Sequence, residues 1–386
     1  MRRFLTLLIL CLLLPAGALA LDLTPYLLPP ETEYESTLEV LPLSGSVYVR
    51  RSVGPLSRVT GNPEDTVFVT RLRRYENGVC VSDVTLPAAE HGEYGVVLRQ
   101  DGRSGILRAV SYTTPQEAWK HAYTLYDLDG GELANARTFE GEPYMLRDWP
   151  GGFAGLCAAG NGQSTLMVYD EDAQPLLRYP VPFENAFFLS HVRSGGALYL
   201  LLCQNGSPSI PDILMLRVDA SAALSWTAHF TDEAGRYNML LPDGQGGVLM
   251  TGSLPEDYKQ YRVTRIDADG RTCWSKVLSA PKAVLQPLSA EALPDGTVAL
   301  YGSCVAKSRS LFTLFSITLD AEGRILASDV RDYSDRADIG PAILTAADGT
   351  KLVYSFGIGS EDQPGVLVPL DVLPKAEDPG IALKDR

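Results

Sequence analysis

The chain has 386 residues, with 47 acidic and 33 basic side chains and a formal net charge of −14. A surface of this charge repels phosphate backbones, and no basic stripe compensates for it, which excludes a nucleic-acid-binding protein. The length alone would allow two or three domains. No linker or change of composition divides the chain, however, so we expect one domain.

The first twenty residues have the pattern of a secretory signal peptide. Residues 2–3 are arginines, residues 5–14 form an apolar run, and residues 18–20 match an A-x-A cleavage signal. The apolar run is too short to span a membrane comfortably. We therefore expect residues 1–20 to be removed and residues 21–386 to be secreted or extracytoplasmic, at the cell surface or in a periplasm.

Two further features bear on membrane attachment. Leu10 precedes Cys11 where a lipoprotein signal needs a small residue, so lipidation is the minor alternative. No later segment is apolar enough to span a membrane, and the short C-terminal tail, residues 375–386, is polar. We expect a mature monomer without a membrane span.

Tight turns rich in Asp and Gly recur about every 49 residues after the leader. Each follows an apolar segment, as in RIDADG at residues 265–270 and TLDAEG at residues 318–323. Related turns lie at residues 76–78, 127–130, 170–172 and 219–221, and around Asp371. Strands that alternate with such turns at this period predict a repeat architecture, and four strands per repeat predict a β-propeller.

One repeat illustrates the unit. Its apolar or alternating segments are separated by turn residues such as the cluster at 242–247. The four predicted strands are residues 237–241, 248–251, 261–266 and 271–278. Four consecutive strands joined by short turns form one antiparallel blade.

The same order recurs along the chain. The second strand of each unit begins near Val47, Ile106, Phe153, Ala197, Val248, Thr297 and Lys351. The sequence therefore predicts an all-β fold, a single β-propeller over residues 21–386 with seven four-stranded blades; six or eight blades are the alternatives.

The last predicted blade has two candidates for its fourth strand. Residues 366–370 are its predicted third strand. Its fourth could be residues 381–384 or a segment near the N-terminus, residues 22–28. We favour the N-terminal segment, because it would join the two chain ends and remove an open sheet edge.

Residues 266–274 resemble the repeat of quinoprotein-like (PQQ-like) β-propellers. In that repeat a strand ends in Asp, a Gly turn follows, and a Trp comes a few residues later; here these are Asp267, Gly270 and Trp274. Asp219 and Trp226 have the same offset, whereas Ala327 stands at the Trp position after Asp320. The resemblance implies the fold. It does not imply the quinone cofactor, since the adjacent Cys pair of those enzymes is missing, and we expect no cofactor.

The paired carboxylates of the turns are candidate metal ligands. Asp127 and Asp129 are the best candidates for calcium, with pairs at 170/172 and 267/269 as others. Asp also stabilises tight turns through side-chain hydrogen bonds, and we favour this interpretation. The four histidines lie in different repeats and form no zinc motif.

The cysteines and the nucleophile motifs give no catalytic signal. After leader removal an odd number of cysteines remains, and we expect small apolar side chains between sheets at Cys157, Cys203 and Cys304. No G-x-S-x-G motif occurs. Ser190 and His191 are adjacent, but neighbouring strand residues point to opposite faces. We assign no catalytic residue and lean against an enzyme.

The tryptophans are the remaining candidates for a ligand surface. Trp226 and Trp274 share one repeat position, which favours packing between blades. Trp149, beside Arg147 and Asp148, is the one candidate for an exposed ligand-binding aromatic, although we favour a packed turn residue.

The sequence thus favours an exported, non-catalytic scaffold whose loop faces hold a protein or cell-envelope partner. The alternative is an extracellular protein that binds or cleaves carbohydrate, since export, aromatic residues and numerous carboxylates would also suit glycans.

Overall fold

A computed structural model gives the fold of this chain. The structure describes residues 35–43, 46–53, 69–76, 79–86, 94–98, 104–111, 120–128, 132–137, 139–158, 162–204, 213–230, 236–254, 257, 260–306, 312–333, 342–346, 348–355 and 366–385. These residues are almost entirely β-strand and form seven antiparallel sheets.

The strands follow one another in space in nearly the same order as in sequence. The first sheet contains β1 (Glu35–Leu43), β2 (Ser46–Val53), β3 (Val69–Glu76) and β4 (Val79–Thr85). The second contains β5 (Tyr94–Leu98), β6 (Ser104–Ser111), β7 (Lys120–Asp127) and β8 (Glu132–Arg137). The third contains β9 (Met145–Trp149), β10 (Gly152–Ala158), β11 (Gln163–Asp170) and β12 (Pro175–Glu184).

The remaining four sheets continue this order. The fourth contains β13 (Ala186–Ser194), β14 (Ala197–Gln204), β15 (Ile213–Val218) and β16 (Leu224–Phe230). The fifth contains β17 (Arg236–Pro242), β18 (Val248–Ser253), β19 (Tyr261–Ile266), β20 (Thr272–Ser279) and β28 (Ala382–Asp385). The sixth contains β21 (Ala283–Ala292), β22 (Val298–Ala306), β23 (Phe312–Leu319) and β24 (Ile325–Asp332), and the seventh β25 (Ala342–Thr345), β26 (Lys351–Ser355) and β27 (Val366–Pro369).

The predicted strands of the repeat at 237–278 are confirmed. They correspond to β17, β18, β19 and β20, with boundaries that differ by one or two residues. The predicted starts of the second strands agree equally well, because Gly and Asp mark the preceding turns.

Apolar clusters fill the spaces between neighbouring sheets. Val168 of the third sheet shares a cluster with Leu200 of the fourth, and Tyr199 of the fourth shares one with Met250 of the fifth. Similar clusters join the fifth sheet to the sixth and the sixth to the seventh. Burial of each large aliphatic side chain stabilises the fold by about 1.5–3 kcal/mol, so the stability lies mainly between sheets.

The first and last sheets also share a cluster. Val47, Val49 and Tyr75 of the first sheet pack with Tyr354 and Leu367 of the seventh. The first strands of consecutive sheets contact one another from β5 through β9, β13, β17 and β21 to β25, and β25 contacts β1. The first strand is therefore the inner strand of its sheet.

The Asp-led turns are stabilised in the way the sequence predicts. The Asp267 Oδ1 atom accepts hydrogen bonds from the backbone N–H groups of Asp269, at 2.9 Å, and Arg271, at 2.8 Å. Asp170, Asp219 and Asp320 accept the two equivalent bonds in their own turns. The fourth residue of each turn has a positive φ, whether it is glycine or alanine: Ala173, Ala222, Gly270 and Gly323.

Two tryptophans join neighbouring sheets at these turns, which confirms their predicted packing role. Trp226 of β16 donates its indole N–H to the Ala268 carbonyl of the next sheet, at 2.9 Å. Trp274 of β20 donates to Ala321 in the same way, at 3.0 Å. A Cβ added to Gly323 would lie 2.7 Å from the Trp274 ring, so glycine is required for this approach.

The end of the chain differs from its prediction. Residues 366–369 do form the third strand of the last sheet, but a 3-10 helix at Leu370–Val372 replaces the tight turn expected around Asp371. The strand predicted at residues 381–384 exists as β28, yet it pairs with β20 of the fifth sheet, so its assignment to the last blade is wrong. The favoured alternative, residues 22–28, lies outside the described residues.

Candidate functional site

Polar side chains gather on the inner strands of the third and fourth sheets. We call Arg147 and Asp148 of β9 together with His191 and Arg193 of β13 the inner polar cluster. Because first strands contact one another, the two strands lie side by side at the inner edge of the molecule. Two of its members, Arg147 and Asp148, directly precede Trp149 in the sequence.

An ion pair holds the two strands of the inner polar cluster together. The Arg193 Nη1 atom lies 2.8 Å from the Asp148 Oδ2 atom, and the Asp148 side chain is 5% exposed. Arg147 donates to the Leu146 carbonyl at 2.7 Å, and its guanidinium carbon lies 5.2 Å from the centre of the Phe188 ring. Across the two strands, Arg193 therefore binds a carboxylate and Arg147 an aromatic ring.

His191 is held neutral in this cluster. Burial, and then the positive charge of Arg147, lower the pKa of His191 from 6.5 to about 3. At neutral pH its ring can donate one hydrogen bond and accept one.

Ser190 and His191 point to different sheets, as the strand geometry predicts. Ser190 accepts a hydrogen bond from the Leu240 backbone N–H of the fifth sheet, at 3.0 Å. His191 interacts electrostatically with Arg147 of the third sheet. The two neighbours therefore do not form a nucleophile–base pair.

Trp149 is buried, as the favoured interpretation of a packed turn residue predicts, and the alternative of an exposed residue is wrong. Its side chain packs in the cluster between the third and fourth sheets and is 2% exposed. Within the described part of the chain its indole nitrogen has no hydrogen-bond partner. The turn after it brings Gly151 so close that an added Cβ would lie 2.3 Å from the indole ring. Its proposed role as a ligand-binding residue remains untested.

A second polar group joins the sixth and seventh sheets. Lys351 of β26 pairs with Glu291 of β21 and donates to the Thr345 hydroxyl at 2.9 Å. Thr345 in turn donates to Glu291 at 3.0 Å, and the Lys351 ammonium lies 5.7 Å from the centre of the Tyr301 ring. Burial lowers the pKa of Lys351 below its ordinary value. Sequence reasoning missed this group because its members are spread over 60 residues.

The predicted metal ligands are distributed among separate turns. Asp127 ends β7, and Asp129 lies outside the described residues. Asp170 and Asp267 use one carboxylate oxygen each to bind turn N–H groups, which confirms the turn interpretation for these two. Over the described ranges, no three His, Cys, Asp or Glu side chains are grouped closely enough to hold a metal ion.

The cysteines behave mainly as core residues. Cys157, Cys203 and Cys304 are buried between sheets, which confirms their predicted role, and Cys80 is partly buried. Burial raises the pKa of Cys203 to about 11, so its thiol stays protonated at neutral pH. Cys273 is exposed, and all five thiols are free of disulfide bonds in the described structure.

Apolar side chains are exposed on the outer strand of the first sheet. β4 lies at the edge of that sheet, and its Val79 and Val81 are 63% and 45% exposed. The equivalent face of β16 carries Ser225, Thr227 and His229 instead. Val79 and Val81 form a small apolar patch at a sheet edge, where another protein can make contact.

Comparisons with known proteins reveal likeness only at the level of structure. No family profile matches the chain, and no curated protein matches its sequence. A crystal structure of the eukaryotic initiation factor is similar at 10% identity and a TM-score of 0.39, with 92% of each chain covered. Prolyl oligopeptidase B from Galerina marginata is similar at 12% identity and a TM-score of 0.49, with 91% of this chain and 53% of that chain covered.

A third similar structure is the Pyrococcus horikoshii acylaminoacyl peptidase. It is 9% identical with a TM-score of 0.42, and the match covers 86% of this chain and 59% of that chain. The chain thus spans little more than half the length of either peptidase. At these identities and TM-scores the likenesses carry no argument about activity.

In the ranges that the structure describes, no helix is long and apolar enough to cross a bilayer.

Proposed function

We propose that this chain is an exported, non-catalytic scaffold that holds a protein or cell-envelope partner. The observation that carries the proposal is the exposed apolar pair Val79 and Val81 on the edge strand β4. Each valine forgoes the stabilisation that burial of its exposed surface would give, and a partner that covers both would recover it.

The inner carboxylates favour a scaffold over glycan cleavage. Asp148 is paired with Arg193, and Glu291 with Lys351. These two ion pairs lie at different sheet interfaces, one between the third and fourth sheets and the other between the sixth and seventh. Glycoside cleavage needs two carboxyl groups on either side of one bond, with one of them protonated. Carboxylates that are each paired with an Arg or Lys side chain suit a structural role better.

The fold that we propose for this scaffold is a closed, seven-bladed propeller of the PQQ-like type. Closure is supported by the cluster between the first and seventh sheets. The PQQ-like assignment is supported by the repeated turn, in which Asp267 and Gly270 precede Trp274 and the Trp reaches the next sheet. Residues 22–28 would supply the fourth strand beside β27. Export rests on the leader pattern of residues 1–20.

A binding experiment with the mature chain, residues 21–386, tests the function. Immobilised protein is exposed to cell-envelope extract, and the captured partner is then measured against Val79→Lys/Val81→Lys and against Leu326→Lys. Leu326 is 58% exposed on a different sheet and serves as the matched control. We expect the double variant to lose the partner and the control to retain it. Equal capture by all three proteins would contradict the proposal.

A thermal-shift panel separates the scaffold from the carbohydrate alternative. The panel contains calcium, EDTA, common glycans and peptidoglycan fragments. A ligand at a hundredfold excess over its Kd stabilises the folded state by about 2.7 kcal/mol, which is readily detected. The scaffold proposal expects no shift with simple glycans. A shift with one of them would replace it with the carbohydrate function.

A further inference from the structure

We propose that residues 370–385 form a clasp that fastens the seventh sheet to the sixth and fifth sheets from the outside. Trp226 and Trp274 join the fourth sheet to the fifth and the fifth to the sixth. The corresponding position of the sixth sheet is Ala327, which is exposed and has no indole to donate to the seventh sheet. The C-terminal segment crosses this same interface.

An arginine of the sixth sheet binds the backbone at the start of the clasp. Arg331 of β24 donates from Nη1 to the carbonyl oxygens of Asp371, at 3.2 Å, and Leu373, at 2.9 Å. Its Nε atom donates to Asp329 at 2.6 Å, which orients the guanidinium. One side chain of the sixth sheet therefore fixes the turn by which the chain leaves the seventh.

Backbone bonds then continue along the same strand. The Asp332 N–H donates to the Pro374 carbonyl at 2.7 Å, and the Ala376 N–H donates to the Val330 carbonyl at 2.8 Å. Beneath them, Leu370 and Leu373 are buried in the cluster between the sixth and seventh sheets. The segment thus supplies to this interface the polar and apolar contacts that a tryptophan supplies elsewhere.

A capped turn directs the segment toward the fifth sheet. Asp378 accepts a hydrogen bond from the Ser328 hydroxyl at 2.6 Å and from the N–H groups of Gly380 and Ile381 at 2.8 and 3.0 Å. Gly380 has a φ of +85°, which glycine adopts without strain. The chain can therefore change direction here while it stays attached to β24.

The clasp ends as a strand on the edge of the fifth sheet. β28 pairs antiparallel with β20, with Leu383 opposite Leu278 and Asp385 opposite Lys276. Ile381 and Leu383 pack on the cluster between the fifth and sixth sheets. β28 also covers the outer backbone edge of β20, which would otherwise be available to another strand.

The clasp is held more weakly than the sheets that it joins. β28 is four residues long, and its Lys384 and Asp385 are exposed. The Lys282–Glu377 pair is exposed on both sides, and such pairs contribute little. We therefore expect the clasp to open before the sheets, which would loosen the seventh sheet and uncover β20 while the rest of the fold persists.

Hydrogen exchange of the full chain tests this proposal. Arg331→Ala removes both bonds to the clasp backbone and is compared with wild type and with Arg324→Ala. Arg324 is a matched control, because its bonds remain within its own turn, to Asp320 and Glu322. In Arg331→Ala we expect exchange of the amides of residues 370–385 and of β20 to accelerate about tenfold or more, with no change in Arg324→Ala.

A second variant acts on the other end of the clasp. Leu383→Ser weakens the packing of β28 without any change in β24, and we expect faster exchange in β28 and β20 while the amides of residues 370–376 stay protected. Wild-type exchange rates in both variants would overturn the proposal, as would acceleration spread evenly over all seven sheets, which would indicate general destabilisation.

Discussion

At the scale of single residues, the fold depends on three residue types in a fixed order. Asp binds the turn N–H groups, a residue with positive φ closes the turn, and at Gly270 and Gly323 a Trp from the preceding sheet lies against the turn. The backbone N–H of Arg324 holds the pKa of Asp320 below its ordinary value, and the hydroxyl of Ser221 does the same for Asp219. These carboxylates are therefore charged throughout the neutral range, as their role in the turns requires.

Substitution of two glycines distinguishes the cost of a positive φ from the cost of a clash with tryptophan. Gly323 and Gly349 have φ values of +70° and +87°, but an added Cβ meets the Trp274 ring at 323 and open space at 349. We expect Gly349→Ala to cost about 1 kcal/mol, and Gly323→Ala about 1–3 kcal/mol more because of the clash. Denaturant titration measures both, and equal losses would show that the Trp contact adds nothing.

His191 gives the protein a defined acid sensitivity. Its folded-state pKa of about 3 lies below the unfolded value of 6.5, so the unfolded chain binds the proton first. Its contribution to stability is complete above pH 6.5 and is lost as the pH falls toward 3. Between pH 7 and pH 4.5 we expect the free energy of unfolding of the wild type to fall by about 2–3 kcal/mol more than that of His191→Gln.

The matched control for this titration is His229→Gln, at an exposed position on β16. Unfolding free energies of the three proteins between pH 7 and pH 4.5 give the comparison. If His191→Gln retained the full acid slope of the wild type, the burial of a neutral His191 would be refuted.

At the scale of elements, the strands were predictable and their partners at the chain end were not. Turn residues such as Asp267 and Gly270 act within a few positions, so the hairpins could be identified from local sequence. The pairing partner of β28 is β20, which lies more than a hundred residues earlier, and no local sequence pattern encodes this pairing. The inner polar cluster was missed for the same reason, since Asp148 and Arg193 meet only through the packing of two sheets.

Polar contacts should contribute more to the free energy of unfolding where they are buried than where they are exposed. Lys351, whose side chain is 20% exposed, supports Glu291 and Thr345 across the last interface, whereas Lys282 is 72% exposed and pairs with Glu377. We expect Lys351→Met to cost about 1–2 kcal/mol, because Glu291 would lose its counter-charge, and Lys282→Met less than about 0.5 kcal/mol. Chemical denaturation of both variants tests this order; a larger loss in Lys282→Met would contradict it.

At the scale of the whole molecule, stability is shared among sheets that bury their apolar faces against neighbouring sheets. The apolar clusters join the third sheet through the seventh and connect the seventh to the first. The sequence could predict this repeat architecture, because similar turn signals recur about every 49 residues. The sequence could not identify a binding partner, because one fold can support unrelated functions.

The most direct test of the account is deletion of one repeat, residues 237–278, followed by calorimetry of the mature chain. The deletion removes β17 to β20 and with them the partner of β28 and the Trp274 contact. If the sheets stabilise one another around a closed ring, the shortened chain should lose its cooperative transition and unfold broadly at lower temperature. A sharp transition near the temperature of the intact protein would contradict closure of the ring.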